Sequence, residues 1–168
     1  MDADLAALSS ALAAQAQAPS RRCRLLIATA ESCTGGWVAQ VITHTAGSSA
    51  WFERGFVTYS NEAKIELLGV KAQTLARHGA VSEETAAEMA SGAIAHSRAN
   101  IALAITGIAG PTGGSADKPV GTVCFAWCVR DGAPSCERRL FAGDRENIRR
   151  QAVLHALSGL IDRARNMP

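Results

Sequence analysis

The chain has 168 residues, 48% hydrophobic and 19% charged, enough apolar material for the core of one domain and too much for a mainly disordered polypeptide. Its net charge is +2, and its basic residues are scattered apart from Arg21-Arg22-Cys23-Arg24 and short pairs near the end, so no nucleic-acid partner is expected. Five cysteines, an odd number without C-x-x-C spacing, point to reduced thiols, and Cys124 and Cys128 lack the Cys/His pair that would make a zinc site.

No apolar stretch approaches the roughly 18 residues of a membrane span. Asp2 and Asp4 stand where a signal peptide would carry Lys or Arg. A soluble, cytoplasmic protein without membrane contact is expected.

Taken in order, residues 3–18 are rich in Ala, Leu and Gln and read as a helix ended by Pro19, with Leu5, Leu8 and Leu12 on the face that packs on the body. Residues 24–30 are too apolar for a wet face and predict a strand central in its sheet. Residues 34–43 follow as a helix with Trp37, Val38, Val41 and Ile42 inward. Aromatic and β-branched residues predict a strand over 51–60. Asn61 then caps a short helix closed by Gly69, and another short helix spans 71–78. Ser82 caps a helix reaching about residue 98 whose inner face is small: Ala86, Ala87, Ala90, Ala93 and Ile94.

Residues 101–106 form a second fully apolar strand, running into the glycine-dense stretch 107–115. Strands over 120–129 and 134–141 form a hairpin across Asp131-Gly132. Asp144 caps the last helix, where Ile148, Ala152, Val153, Ala156, Leu157, Leu160 and Ile161 keep helical spacing. The fold class implied is α/β, a three-layer α/β/α sandwich on a mixed central sheet.

The stretch most open to chemistry is the corner after the first strand, where Glu31, Ser32, Cys33 and Thr34 precede Gly35-Gly36. Ligands bind at that edge of open α/β sheets. Ser32 has two readings: an ordinary helix cap, or a nucleophile whose neighbouring backbone N–H groups hold a developing oxyanion. The bare glycines would let substrate approach the main chain. Cys33 is a rival nucleophile if the helix start acidifies its thiol.

A serine needs a base. His44, His78, His96 and His155 all fall away from predicted strand ends, and the G-x-S-x-G elbow is absent. Lys64 sits early in a short helix, close after Tyr59 and Asn61. A cation is unfavourable there, and burial beside a positive helix end would lower its pKa toward that of a working base. The competing reading is a surface lysine paired with Glu62 or Glu66. Ser60, four residues before Lys64, is a second rival nucleophile or a polar strand end. The 107–115 stretch offers unhindered N–H groups, as phosphate cradles do, but fits neither G-x-G-x-x-G nor Walker A. Thr106 at its start is placed for a ligand contact, and Arg145 and Arg149 could bind an anion.

Together, Ala30-Glu-Ser-Cys-Thr-Gly-Gly36, Tyr59-Ser-Asn-Glu-Ala-Lys64, Val81-Ser82, Ala104-Ile-Thr-Gly-Ile-Ala-Gly-Pro-Thr-Gly-Gly114, Lys118-Pro-Val-Gly-Thr-Val123 and Gly143-Asp-Arg145 resemble the CinA C-terminal domain over about residues 20–163. The family's stand-alone members include nicotinamide-nucleotide amidases, which convert nicotinamide mononucleotide to nicotinate mononucleotide and ammonia. The resemblance implies a serine amidohydrolase with Ser32 as nucleophile, Lys64 as its base and Tyr59 as a catalytic or orienting neighbour. It implies a substrate-side role for Thr106 and for one of Arg145 and Arg149, the spacing leaving both open; beside them the main chain at Cys33, Thr34, Gly35, Gly36, Gly107 and Gly110 is expected to line the substrate.

A small-molecule nucleotide substrate, no metal, no cofactor and a homodimer or higher homo-oligomer are implied as well. The separate N-terminal domain of full-length relatives has no counterpart here, and its activity is not carried over. Residues 1–20 match no family motif and are read as an N-terminal helix packing on a single domain of residues 21–168. The rival function is a non-catalytic module that binds a nucleotide or partner, since some relatives are known for competence or DNA damage.

Overall fold

The computed structural model describes residues 2–19 and 22–167. The expected division between residues 20 and 21 therefore lies outside the described residues. In chain order the elements are α1 (Ala3–Ala16), β1 (Ile27–Glu31), α2 (Trp37–Thr43), β2 (Phe52–Val57), α3 (Asn61–Leu68), α4 (Ala72–His78), α5 (Glu83–Ala95), β3 (Ile101–Gly107), β4 (Thr122–Val129), β5 (Ser135–Leu140) and α6 (Arg145–Arg165), with a 3-10 turn at Ser48–Ala50.

The strands make one sheet in the order β2-β1-β3-β4-β5. β1 runs parallel to both β2 and β3, whereas β3, β4 and β5 pair antiparallel. This is the mixed sheet that two apolar strands and a hairpin predict. The hairpin turns at Asp131, whose φ is +66°.

Side-chain size separates the two faces of the sheet. Ile27, Ile101, Leu103, Ile105, Val123, Phe125 and Trp127 point toward α1, α2 and α6. Their alternate neighbours Ala28, Ala30, Ala102, Ala104 and Ala126 point toward α5. Strand periodicity places large and small residues on opposite sides, so α5 can lie close against an alanine face while α6 packs over bulky groups. The small inner surface of α5 completes that close approach. At Gly92 an added Cβ would stand 1.9 Å from the Leu68 carbonyl oxygen.

α1 packs on α2 and α6: Leu5 and Leu12 are buried, Ser9 Oγ donates to the Val41 carbonyl at 2.8 Å, and Arg150 pairs with Asp2 and Asp4 at 2.8 and 2.6 Å.

Several boundaries differ from the sequence reading: β2 stops at Val57 and α5 at Ala95, each about three residues before the expected end. β1 begins at Ile27, three residues later than expected. α2 begins at Trp37 because Gly35 and Gly36 have φ of +60° and +94°, which makes residues 32–36 a turn and not the first turn of a helix. Ser60, not Asn61, caps α3, accepting from the Ala63 N–H. The outcome for function is one sheet edge where the ends of β1 and β3, the start of α3 and the start of α6 meet.

Candidate active site

The turn after β1 is fastened from several sides. Ser32 N–H continues the sheet ladder to the Ile105 carbonyl at 3.0 Å, and Gly35 N–H closes back on the Ser32 carbonyl at 3.0 Å. The buried Glu31 carboxylate accepts from Thr34 Oγ1 at 2.7 Å, Gly36 N at 3.1 Å, Val38 N at 3.0 Å and Ala39 N at 2.8 Å. It thus serves as the cap that α2 lacks in its own first residue, meeting N–H groups a helix start leaves unpaired with negative charge.

Arg149, on α6, reaches the same turn from above. Its Nε donates to the Cys33 carbonyl at 3.0 Å and Nη2 to the Thr34 carbonyl at 2.9 Å, and the guanidinium carbon lies 5.4 Å from the centre of the Trp37 ring.

These bonds narrow the choice of oxyanion donors. The expectation covered the amides around residues 33–36, but Gly35 N–H and Gly36 N–H are already engaged. Among the described residues, the Cys33 and Thr34 amides are committed to no carbonyl or carboxylate.

Lys64 meets Ser32. Its Nζ lies 3.1 Å from Ser32 Oγ and donates to the Thr58 carbonyl at 2.9 Å. The side chain is 1% exposed, and burial lowers the ammonium pKa below its ordinary value. The alternative of a surface lysine paired with Glu62 or Glu66 is therefore corrected: among the described residues neither acid bridges to it. A neutral amine here can donate to Thr58 and still accept a proton from Ser32.

The other nucleophile candidates fare differently. Ser60 Oγ accepts from Ala63 N at 3.0 Å on the exposed side of the chain, which makes it a helix cap. Burial pushes the Cys33 thiol up to about 12, the reverse of the acidification that a thiolate nucleophile requires. Among the described residues no histidine hydrogen-bonds Ser32 or Lys64, and His155 and His78 instead lie 3.0 Å from Glu137 and 3.3 Å from Glu84.

Ser32, Tyr59, Asn61, Lys64, Thr106 and Arg145 line one cleft of about 210 Å³. Tyr59 is exposed, and its hydroxyl accepts from Arg145 Nη2 at 3.0 Å while Arg145 Nη1 donates to the Gly110 carbonyl at 2.8 Å. Arg145 is thus the arginine facing the cleft that holds Ser32, whereas Arg149 faces a neighbouring hollow lined by Trp37, Arg145 and Glu146.

Thr106 is buried and donates to the Ala80 carbonyl at 2.7 Å, so its hydroxyl hydrogen is engaged within the chain. Gly107 packs where a Cβ would stand 2.8 Å from Val123 Cγ2 and 3.1 Å from Cys33 Sγ. Within the 107–115 segment Ile108 is fixed on both sides, its N–H bonding the Thr122 carbonyl and its own carbonyl accepting from Gly121 N, each at 2.8 Å, while residues 111–115 are exposed.

Two contributors escaped the sequence reading. The capping role of Glu31 had a signal, a carboxylate ending an otherwise apolar strand just before a helix. The Thr58 carbonyl had none, because a backbone acceptor leaves no mark in residue identity. Among the described residues no group of three or more His, Cys, Asp or Glu is arranged to hold a metal ion, and no helix is long and apolar enough to cross a membrane.

Residues 9–164 match the family model described as the CinA C-terminal domain. Over 134 residues the chain is 61% identical to nicotinamide-nucleotide amidohydrolase PncC of Escherichia coli (strain K12), covering 80% of this chain and 81% of that protein. Over 142 residues it is 54% identical to the protein of the same name from Pseudomonas putida, covering 84% of this chain and 88% of that one. A solved competence-damaged protein (CinA) superfamily protein from Klebsiella pneumoniae 700603 superposes with a TM-score of 0.89 at 40% identity, covering 96% of this chain and 98% of that one. The chain belongs to the CinA C-terminal domain family.

Proposed function

We propose that this CinA-family chain is an amidohydrolase that converts nicotinamide mononucleotide to nicotinate mononucleotide and ammonia through an acyl-enzyme on Ser32, with Lys64 as its base. The observation that carries the reading is the buried Lys64 Nζ, 3.1 Å from Ser32 Oγ with no acid beside it among the described residues. The names of the Escherichia coli and Pseudomonas putida relatives support the substrate class.

In the mechanism, Ser32 Oγ attacks the carboxamide carbon as its proton passes to Lys64 Nζ. The developing oxyanion is met by the Cys33 and Thr34 N–H groups. Lys64 then gives the proton to the departing nitrogen, which leaves as ammonia, and the nicotinoyl carbon remains esterified to Ser32. Water, deprotonated by the same lysine, hydrolyses the ester and restores the hydroxyl. Arg145, with the 107–114 segment, holds the phosphate and keeps the amide at Ser32. Tyr59 orients Arg145 through the bond between them. The setting we propose is a cytoplasmic homo-oligomer of single-domain subunits.

Ammonia release from purified protein tests the reading. Ser32→Ala and Lys64→Ala are each expected to lose activity. Full rates in both would overturn the pair, and thermal stabilisation by the nucleotide without turnover would favour the binding-module function.

A further inference from the structure

We propose that Arg149 is a positioning residue, holding the Cys33 and Thr34 carbonyls so that the main chain of the nucleophile turn presents aligned and polarised donors to the oxyanion. The inference rests on the amide hydrolysis proposed above. It gives Arg149 a role different from the anion contact that its sequence position suggested.

The two carbonyls belong to successive peptide units. A charge-assisted bond to a carbonyl draws density from the whole amide and strengthens the N–H at its other end. Behind the Cys33 carbonyl is the Thr34 N–H, one of the two turn amides left uncommitted among the described residues. Behind the Thr34 carbonyl is the Gly35 N–H, which closes the turn on Ser32's own carbonyl at 3.0 Å. One guanidinium therefore acts on an oxyanion donor and on the bond that fixes the nucleophile.

The surroundings hold the guanidinium in place. The Trp37 ring lies 5.4 Å from its central carbon. A Cβ on Gly35 would come within 3.6 Å of Arg149 Nη2, so the guanidinium rests against a residue without a side chain. Arg149 follows the buried Ile148, and its α6 packs on α2. One helical turn earlier, Arg145 instead bonds Tyr59 and the Gly110 carbonyl at the cleft. Arg145 thus lies at the cleft that holds Ser32, whereas Arg149 bonds the carbonyls of the nucleophile turn itself.

The experiment compares wild type, Arg149→Met and Arg149→Lys in kcat and KM for nicotinamide mononucleotide, and in Kd for the product nicotinate mononucleotide by calorimetry. Arg149→Met is expected to lower kcat about 10- to 100-fold, less than the roughly 10²- to 10³-fold cost of deleting an oxyanion donor outright. KM and product Kd are expected to stay within about 3-fold, because the product carries the same phosphate without needing the oxyanion donors. Lysine keeps the charge but loses the two-pronged geometry, so Arg149→Lys should recover only part of kcat.

An effect carried by KM and product Kd would overturn the inference and make Arg149 a phosphate ligand. Unchanged kcat in a folded variant would overturn it outright. Should Arg149→Met fail to melt cooperatively, Arg149→Lys carries the same comparison. Absence of wild-type hydrolysis would instead remove the amidase reading itself.

Discussion

Replacing Lys64 by methionine preserves side-chain length and apolar stem while deleting the amine. The loss of a general base costs about 10²- to 10⁴-fold in kcat, or about 3–5.5 kcal/mol at roughly 1.36 kcal/mol per decade. Ser32→Ala should lose at least as much. With the groups 3.1 Å apart and acting on one proton, the double variant should be no slower than the worse single, whereas independent roles would multiply the two losses. Ammonia release for all four proteins decides between these outcomes, and multiplicative losses would refute the pair.

Stability supplies a second readout. Burial lowers the Lys64 pKa from its ordinary 10.5 in the folded chain. Between the folded-state value and 10.5 the unfolded chain therefore binds a proton that the folded chain does not. Wild-type stability thus rises with pH across that window and is insensitive to this group below and above it. Lys64→Met removes this dependence but leaves the Thr58 carbonyl without its donor, at about 1–3 kcal/mol. Urea melts of both proteins across alkaline pH should show the wild type gaining on the variant as pH rises. A constant or shrinking gap would refute burial as the cause of the shift.

Cys33→Ala should keep kcat within a few-fold, and iodoacetamide near pH 8 should leave the folded enzyme active, because burial holds this thiol up at about 12. Glu31→Gln exchanges one of two acceptor oxygens for a donor facing N–H groups, where the carboxylate now receives four bonds. A cost of about 2–4 kcal/mol lowers Tm by roughly 5–15 °C, read by calorimetry, with kcat falling as the turn loosens. Arg145→Met should raise KM for the mononucleotide at least about 10-fold through loss of a charged phosphate contact, while a change confined to kcat would argue against that role.

The layers were legible in the sequence because both signals that encode them are local. β1 read as a central strand and β3 as a fully apolar one from their apolar runs, and the seven inward positions of α6 followed from helical spacing; all seven are buried. Boundaries failed where glycine set the backbone, as at Gly35 and Gly36, or where two good caps stood side by side, as at Ser60 and Asn61. The meeting of Ser32 and Lys64 was not readable from spacing, which favoured a solvated lysine. They lie 32 residues apart and are joined by the parallel pairing of β1 with β2, which brings Thr58 N–H to the Glu31 carbonyl at 2.8 Å. Residue identity holds no record of that juxtaposition; the family resemblance supplied it.

The same comparison explains why Glu31 and Arg149 are harder to see than Ser32 and Lys64. A nucleophile and base announce themselves by chemical type, but their chemistry needs a turn that cannot relax when charge appears on the substrate. Here that turn carries two left-handed glycines, which permit its shape without stabilising it. Glu31 holds the Thr34 hydroxyl and the N–H groups of residues 36, 38 and 39, and Arg149 holds the carbonyls of residues 33 and 34. An anion and a cation thus grip opposite ends of the peptide dipoles. Among the described residues this opposition leaves the Cys33 and Thr34 N–H groups committed to no carbonyl or carboxylate, at the residues directly following the nucleophile.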